Sequence, residues 1–304
     1  MNSTRQNKTC NREAFTLIEL LVVIAVLFVL ASLFSRAIAA KPSSQTVQCM
    51  ENQRRLVMAW RMYADDNNDL LPPNDYPYLT SFIMAGNKDQ LRNWVVGTMQ
   101  NNFDANSNPT NTLLAPQTFL SGYIRQVNTY KCPASSRRTS TGQLLPRNYS
   151  MSNAIGTRWS SGYGQLGTDP TKRVGDPVGG GWLSGIYSDP DPNYLTFGKM
   201  NSLFQPSPAH TWVLIDENPL SINDGLFAVS MDTTKIIDFL SSLHAGAAVL
   251  TFADDHAETH KWKSPVVYSP SMNAQQGLVS SGPLSDPDAM SDMGWLAGRT
   301  TIHR

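Results

Sequence analysis

From Phe15 to Ser35 a single charge, Glu19, interrupts twenty-one residues that are otherwise mostly Leu, Val, Ile, Ala and Phe. A helix of that length spans about 31 Å at about 1.5 Å per residue, close to the thickness of a bilayer's hydrocarbon core. A core helix of a globular domain needs only one apolar face, whereas this run is apolar on all sides, so a membrane helix is expected. The competing reading is a secretory signal, with Ala37, Ala39 and Ala40 mimicking its small-residue cleavage site. Arg5, Lys8 and Arg12 precede the run and, by the positive-inside rule, hold the N-terminus in the cytoplasm. Arg36 and Lys41 weaken that bias without reversing it, and everything after Lys41 is then exported. A carboxylate near the hydrocarbon region costs about 2.5–3.5 kcal/mol on insertion scales, so Glu19 requires a reason.

The stretch "AFTLIELLVVIAVL", beginning at Ala14, resembles the prepilin leader of type IV pilins and type II secretion pseudopilins. The resemblance implies that a prepilin peptidase cuts between Ala14 and Phe15 and methylates the new amine, which makes Glu19 the fifth mature residue. Ala14 departs from the family, which nearly always has Gly there. In such filaments the Glu19 carboxylate meets the Phe15 amine of a neighbouring subunit or its own. A paired charge in low dielectric costs far less than a lone one and fixes axial register. The plainer alternative is an anchor in which Glu19 snorkels to the headgroups.

Beyond Lys41 the chain is rich in Asn, Ser, Asp, Gly and Pro, as expected of a loop-rich extracytoplasmic domain with short strands. Pro42 predicts a pause in the helix. Cys49, Gln53, Leu56, Trp60 and Tyr63 then recur at spacings of four and three, with Met50, Val57 and Ala64 beside them. That stripe predicts an amphipathic helix lying on a sheet. Asp65, Asn67 and Asp69 mimic the start of a calcium loop, but Leu70 and Tyr76 occupy the Gly and Glu positions, which leaves a polar helix end and a proline turn. "HTWVLIDE" from His210 reads as a strand, and "GAAVLTFADDHAETHKW" from Gly246 as two strands joined at Asp254 and Asp255. The tail from Ser264 shows no periodicity and is expected to wrap the surface.

The segments "CMENQRRLVMAWRMYADDN", "YKCPAS", "NYSMSN", "PSPAHTWVLIDEN", "SINDGLF" and "LHAGAAVLTFADDHAE" together resemble large pseudopilin-like proteins with a C-terminal H-x9-D-G motif. His244 and Asp254 match its His and Asp; Asp255 replaces its Gly, and Ala247 replaces a second Gly. The fold expected is α+β: a long N-terminal membrane-spanning and amphipathic helix packed on a C-terminal antiparallel β-sheet, with long loop insertions. Its divisions are a leader at 1–14, the membrane and assembly helix at 15–41, the amphipathic continuation at 42–70, a periplasmic pilin-like domain at 71–262 and a tail at 263–304.

Cys10 leaves with the leader, so the mature chain keeps Cys49 and Cys132. In an oxidising periplasm they could form a disulfide; the alternative is two separate buried thiols. His244, Asp254 and His256, with Glu258 and His260 nearby, offer a divalent metal site, although the same His244, Asp254 and Asp255 could simply fix the hairpin. No cofactor is otherwise implied. The balance of 24 basic and 24 acidic residues offers no field for nucleic acid. The chain lacks a Gly-x-Ser-x-Gly elbow, a His-Glu-x-x-His helix, a phosphate loop and the Pro-Cys-x-x-Cys of zinc deaminases, so no enzyme is expected.

The function expected is a structural subunit of a pseudopilus or pilus, held single-pass in the inner membrane before assembly. Its partners would be prepilin peptidase, further copies in a homopolymer, the secretion or pilus assembly machinery and the lipid bilayer. The alternative is a surface binding module in which Trp159, Tyr163, Trp182, Tyr187 and Tyr194 hold glycans or polymers, or else pin long loops to the body.

Overall fold

A computed structural model describes residues 17–27, 41–74, 93–95, 99, 118–138, 142–158, 175–269 and 283–304. The chain divides into two compact units, Met1–Ser44 and Gln45–Arg304. In the first, residues 17–27 form a helix (α1) with every side chain exposed, its large apolar residues between 44% and 75% accessible. Glu19 belongs to this helix, whereas Ala14 and Phe15 lie outside the described residues. Among the described residues no helix is long and apolar enough to cross a membrane; α1 covers part of the expected 15–41 span.

Helix α2, Lys41–Asp66, carries Pro42 in its first turn, where a missing backbone N–H breaks no helical hydrogen bond. Its predicted stripe is buried: Cys49, Gln53, Leu56, Val57 and Trp60 are fully enclosed, with Tyr63 and Ala64 nearly so. The helix stops at a turn in which Asn68 and Asp69 adopt positive φ (55° and 68°) and Asn67 Nδ2 donates to the Tyr63 carbonyl at 2.7 Å. Asn and Asp tolerate that backbone region, so the acidic run ends a helix, as read from the sequence.

Five strands form one sheet: β1 Tyr149–Ser152, β2 Trp212–Asp216, β3 Leu226–Phe227, β4 Ala247–Phe252 and β5 Ala257–Lys261, in the order β3-β1-β2-β4-β5. The β1–β2, β2–β4 and β4–β5 pairs are antiparallel, but β1 and β3 run parallel, so the sheet is mixed where an antiparallel one was expected. The chain from β1 to β3 passes through β2, which lies on the other side of β1, and re-enters the sheet in the β1 direction.

β1, β2 and β4 are buried along their whole length, so both faces are covered. On one face Tyr149, Met151, Leu214 and Val249 meet Cys49, Leu56, Val57 and Trp60 of α2 in one core. On the other, Ile215, Phe227, Ala248, Leu250 and Phe252 meet Ala289, Met293 and Leu296 in a second. Those last three belong to helix α3, Pro287–Ala297, inside the tail predicted to wrap the surface. Asp286 caps α3 by accepting from the Asp288 N–H at 3.0 Å, and Pro287 occupies its first position. The C-terminal residues are tied in as well: the Thr300 hydroxyl accepts from Trp212 Nε1 at 3.0 Å, and that of Thr301 donates to the Leu195 carbonyl at 2.7 Å.

Candidate functional site

Where α2 leaves the sheet, four segments far apart in sequence bring Cys49, Cys132, Asp216 and His244 together. One ligand atom of each, two sulfurs, a carboxylate oxygen and a ring nitrogen, lies within 4.8 Å of all the others. Among the described residues no other group of three or more His, Cys, Asp and Glu converges in this way. Of the two readings left open for the cysteines, the structure has two buried free thiols, with the sulfurs adjoining.

Each segment is built to deliver its residue. Cys49 comes from the buried face of α2. The loop carrying Cys132 is fastened to the same helix by Asn52, whose Nδ2 donates to the carbonyls of Lys131 and Asn128 at 3.1 and 3.3 Å. Asp216 ends β2, directly across from Tyr149 of β1. His244 precedes a tight turn in which Ala245 and Gly246 have φ of 57° and 85°, closed by the Ala247 N–H donating to the His244 carbonyl at 3.2 Å. Gly is at ease there; Ala is not, at about 1–2 kcal/mol, so local propensity gives way to the placement of His244. Asn148 locks two members at once, accepting from the Cys132 N–H at 2.7 Å and donating through Nδ2 to Asp216 Oδ1.

His244 Nε2 lies 3.3 Å from Cys132 Sγ and 3.5 Å from Asp216 Oδ2, while Nδ1 lies 3.1 Å from Thr46 Oγ1. Thiol and carboxylate therefore address the same ring nitrogen. A nucleophilic triad needs them on opposite nitrogens, so that one accepts the proton while the other is held, and this arrangement does not serve that chemistry. Asp216 Oδ2 is buried, and its ion-pair contact with His244 Nε2 is longer than a good hydrogen bond. Cys49 Sγ lies 3.2 Å from Tyr149 Oη, and Cys132 Sγ accepts from the Ala134 N–H at 3.4 Å.

The charges are unequal in ease. Burial pushes the Cys49 thiol well up. Hydrogen bonding from Cys49, and then from His244, overcomes burial and pulls Cys132 down to about 5. Burial raises Asp216 to about 7 against the pull of His244. Burial opposes a charged His244, but Asp216 and Cys132 outweigh it and lift the ring to about 9. The His244 ring is thus the positive partner that Cys132 and Asp216 share in this buried site.

The predicted metal set of His244, Asp254 and His256 does not assemble. β4 separates His244 from the other two by six residues, about 20 Å of strand at about 3.3 Å each. Asp254 and Asp255 form the β4–β5 turn, Asp255 at φ 75°. Asp254 Oδ1 lies 2.5 Å from His256 Nδ1, and the His256 ring stacks on Phe252 at 4.2 Å. His260 stacks on Trp295 at 3.6 Å. His244 thus serves α2 and the Cys132 loop, and the two aspartates alone make the hairpin turn. Trp182 and Tyr187 pair at 5.6 Å, with Trp182 packed on Leu226, Ala228 and Ile237, and Tyr194 meets His303 at 5.0 Å. Those three rings hold loops to the body; Trp159 and Tyr163 lie outside the described residues. Sequence reasoning missed Asp216, which looked like an ordinary strand end; the signal available was an acidic residue on the same strand face as apolar Leu214.

No curated protein and no solved structure matches the chain. Residues 10–35 match the family model of the prokaryotic N-terminal methylation motif, and the chain therefore carries a prepilin-type N-terminal motif.

Proposed function

We propose that this protein is a pilin-like structural subunit, cut before Phe15, that polymerises through its N-terminal helix into a pseudopilus or pilus. The observation that carries the reading is the match of residues 10–35 to the N-terminal methylation motif, which contains Ala14, Phe15 and Glu19. Two features support it. Apart from Glu19, every α1 side chain is apolar and exposed, suited to lipid before assembly and to neighbouring helices afterwards. An amphipathic α2 seated on a sheet supplies a body that such a stem can carry outside the membrane. Assembly of this kind requires no reaction within the subunit. Prepilin peptidase, further copies of the chain and an inner-membrane assembly machine are its partners in this reading.

N-terminal mass spectrometry of the membrane-extracted protein tests it. The expected first residue is N-methylated Phe15. An intact Met1, or a start near Lys41, overturns the reading.

A further inference from the structure

We propose that Cys49, Cys132, Asp216 and His244 bind one zinc ion, which staples α2, the Cys132 loop, the end of β2 and the turn before β4. The donor set is the first ground. Two thiolates and an imidazole select a soft or borderline cation such as zinc over calcium or magnesium, and one carboxylate is compatible with it.

Geometry is the second. In a tetrahedral zinc site with ordinary bond lengths, neighbouring S, N and O ligand atoms lie about 3.4–3.8 Å apart. Here the S···N and N···O separations are 3.3 and 3.5 Å, and the remaining pairs fall within 4.8 Å. Small rotations of side chains already in place would close the sphere. Four protein ligands leave no open position, which marks the site as structural and not catalytic.

The third ground is what surrounds the ligands. A ligating histidine ordinarily engages its other nitrogen, and His244 Nδ1 is held by Thr46. Asp216 Oδ1 is held by Asn148, and Cys132 Sγ receives the Ala134 N–H. Asp216 Oδ2 is fully enclosed and aimed into the cluster, and its contact with His244 Nε2 at 3.5 Å is too long for a good hydrogen bond. A Cys49–Cys132 disulfide would leave that oxygen and His244 Nε2 only their own loose contact at 3.5 Å in a buried pocket. One divalent cation satisfies all four atoms at once. Two thiolates, a carboxylate and neutral imidazole carry three negative charges, which zinc reduces to one.

The test uses the full chain, purified in detergent under reducing conditions through a tag free of His and Cys. Elemental analysis is expected to find one zinc per chain, or uptake of one equivalent from zinc chloride. Exchange with cobalt(II) is expected to give tetrahedral ligand-field bands together with thiolate-to-cobalt charge transfer, a signature of the wild-type protein that does not depend on any variant folding. Cys132→Ser and His244→Gln should abolish stoichiometric zinc, and Thr46→Val should weaken it about 10-fold. Asp254→Asn should leave it unchanged. Wild-type protein that takes up no zinc, a Cys49–Cys132 bridge found by peptide mapping of the natively produced protein, a cobalt spectrum without thiolate bands, or undiminished zinc in Cys132→Ser each overturns the proposal.

Discussion

Gln53 and Thr251 are bonded side chain to side chain between helix and sheet. The Thr251 hydroxyl donates to Gln53 Oε1 at 3.0 Å, and Gln53 Nε2 donates to the Val249 carbonyl at 3.1 Å. All of it is buried, so α2 is registered against β4 by a satisfied polar clamp inside an otherwise apolar contact. Replacing only one partner strands the other in a dry site, at about 1–3 kcal/mol. Gln53→Leu is therefore expected to destabilise the domain by about 2 kcal/mol. Adding Thr251→Val should recover part of that loss, because the stranded hydroxyl goes with it. Denaturant unfolding of the two single variants and the double variant checks this; strictly additive losses would show that the clamp is not a unit.

Asp255 holds a left-handed backbone at φ 75° in the β4–β5 turn, where the resembled motif has Gly. Its carboxylate partly offsets the strain: Oδ2 lies 2.5 Å from Arg61 Nη1, with the two side chains 28% and 43% exposed. Half-exposed pairs of this kind contribute about 0.2–1 kcal/mol, comparable to what a glycine would relieve. Asp255→Gly is expected to leave stability within about 1 kcal/mol of wild type. Asp255→Ala loses the pair and keeps the strain, so it should fall about 1 kcal/mol below the glycine variant. Thermal unfolding of both settles the ranking, and an alanine variant as stable as the glycine one contradicts it.

Much of the helix-and-sheet arrangement was legible because its signals are local and periodic. The four-and-three spacing from Cys49 to Tyr63 named the buried face of α2, and the Asp254–Asp255 pair marked the hairpin. The parallel β1–β3 pairing was not legible, since β3 is only two residues long and pairs with a strand over seventy positions earlier. Helix α3 was missed because Pro, Gly and Asp crowd "PDAMSDMGWLA". Its identity rests on Ala289, Met293 and Leu296 finding the far face of the sheet, which is tertiary information. The cluster was half legible: Cys49, Cys132 and His244 were each singled out, but grouping His244 with Asp254 followed sequence proximity. A strand carries neighbours apart at about 3.3 Å per residue, whereas a helix, a loop and two strand ends can meet at one point.

Asp238 and Asp224 are buried and should make the domain less stable in base. Asp238 Oδ2 accepts the Ala228 N–H at 2.6 Å, and burial followed by the nearby Asp224 pushes its carboxyl up to about 8. Burial raises Asp224 to about 7 despite the Leu226 N–H and Arg147. Both folded values exceed those of an unfolded carboxyl, so the folded state binds the extra protons. Their contribution is fully present below about pH 4 and is lost as pH rises through about 7 to 8. Asn at 238 keeps the acceptor and cannot ionise. Asp238→Asn is expected to raise the Tm at pH 8.5 relative to wild type and to flatten its decline from pH 5; parallel Tm profiles for the two proteins would refute the assignment.

Glu19 separates assembly from simple anchoring, because removing it has opposite consequences for the two. A carboxylate in the apolar segment opposes insertion by about 2.5–3.5 kcal/mol, so Glu19→Ala should enter the membrane at least as well as wild type. If the residue only snorkels, nothing else is lost. If it meets the Phe15 amine as subunits stack, the variant leaves each amine buried without its counter-charge, and an unpaired charge in low dielectric costs several kcal/mol. The expected outcome is normal membrane levels and normal processing with filaments reduced at least tenfold, scored by shearing and immunoblot. Glu19→Gln separates charge from shape: it retains hydrogen bonding and similar length but not the ion pair, and should assemble nearly as poorly as the alanine variant. Wild-type filament yield from either variant would refute the register role.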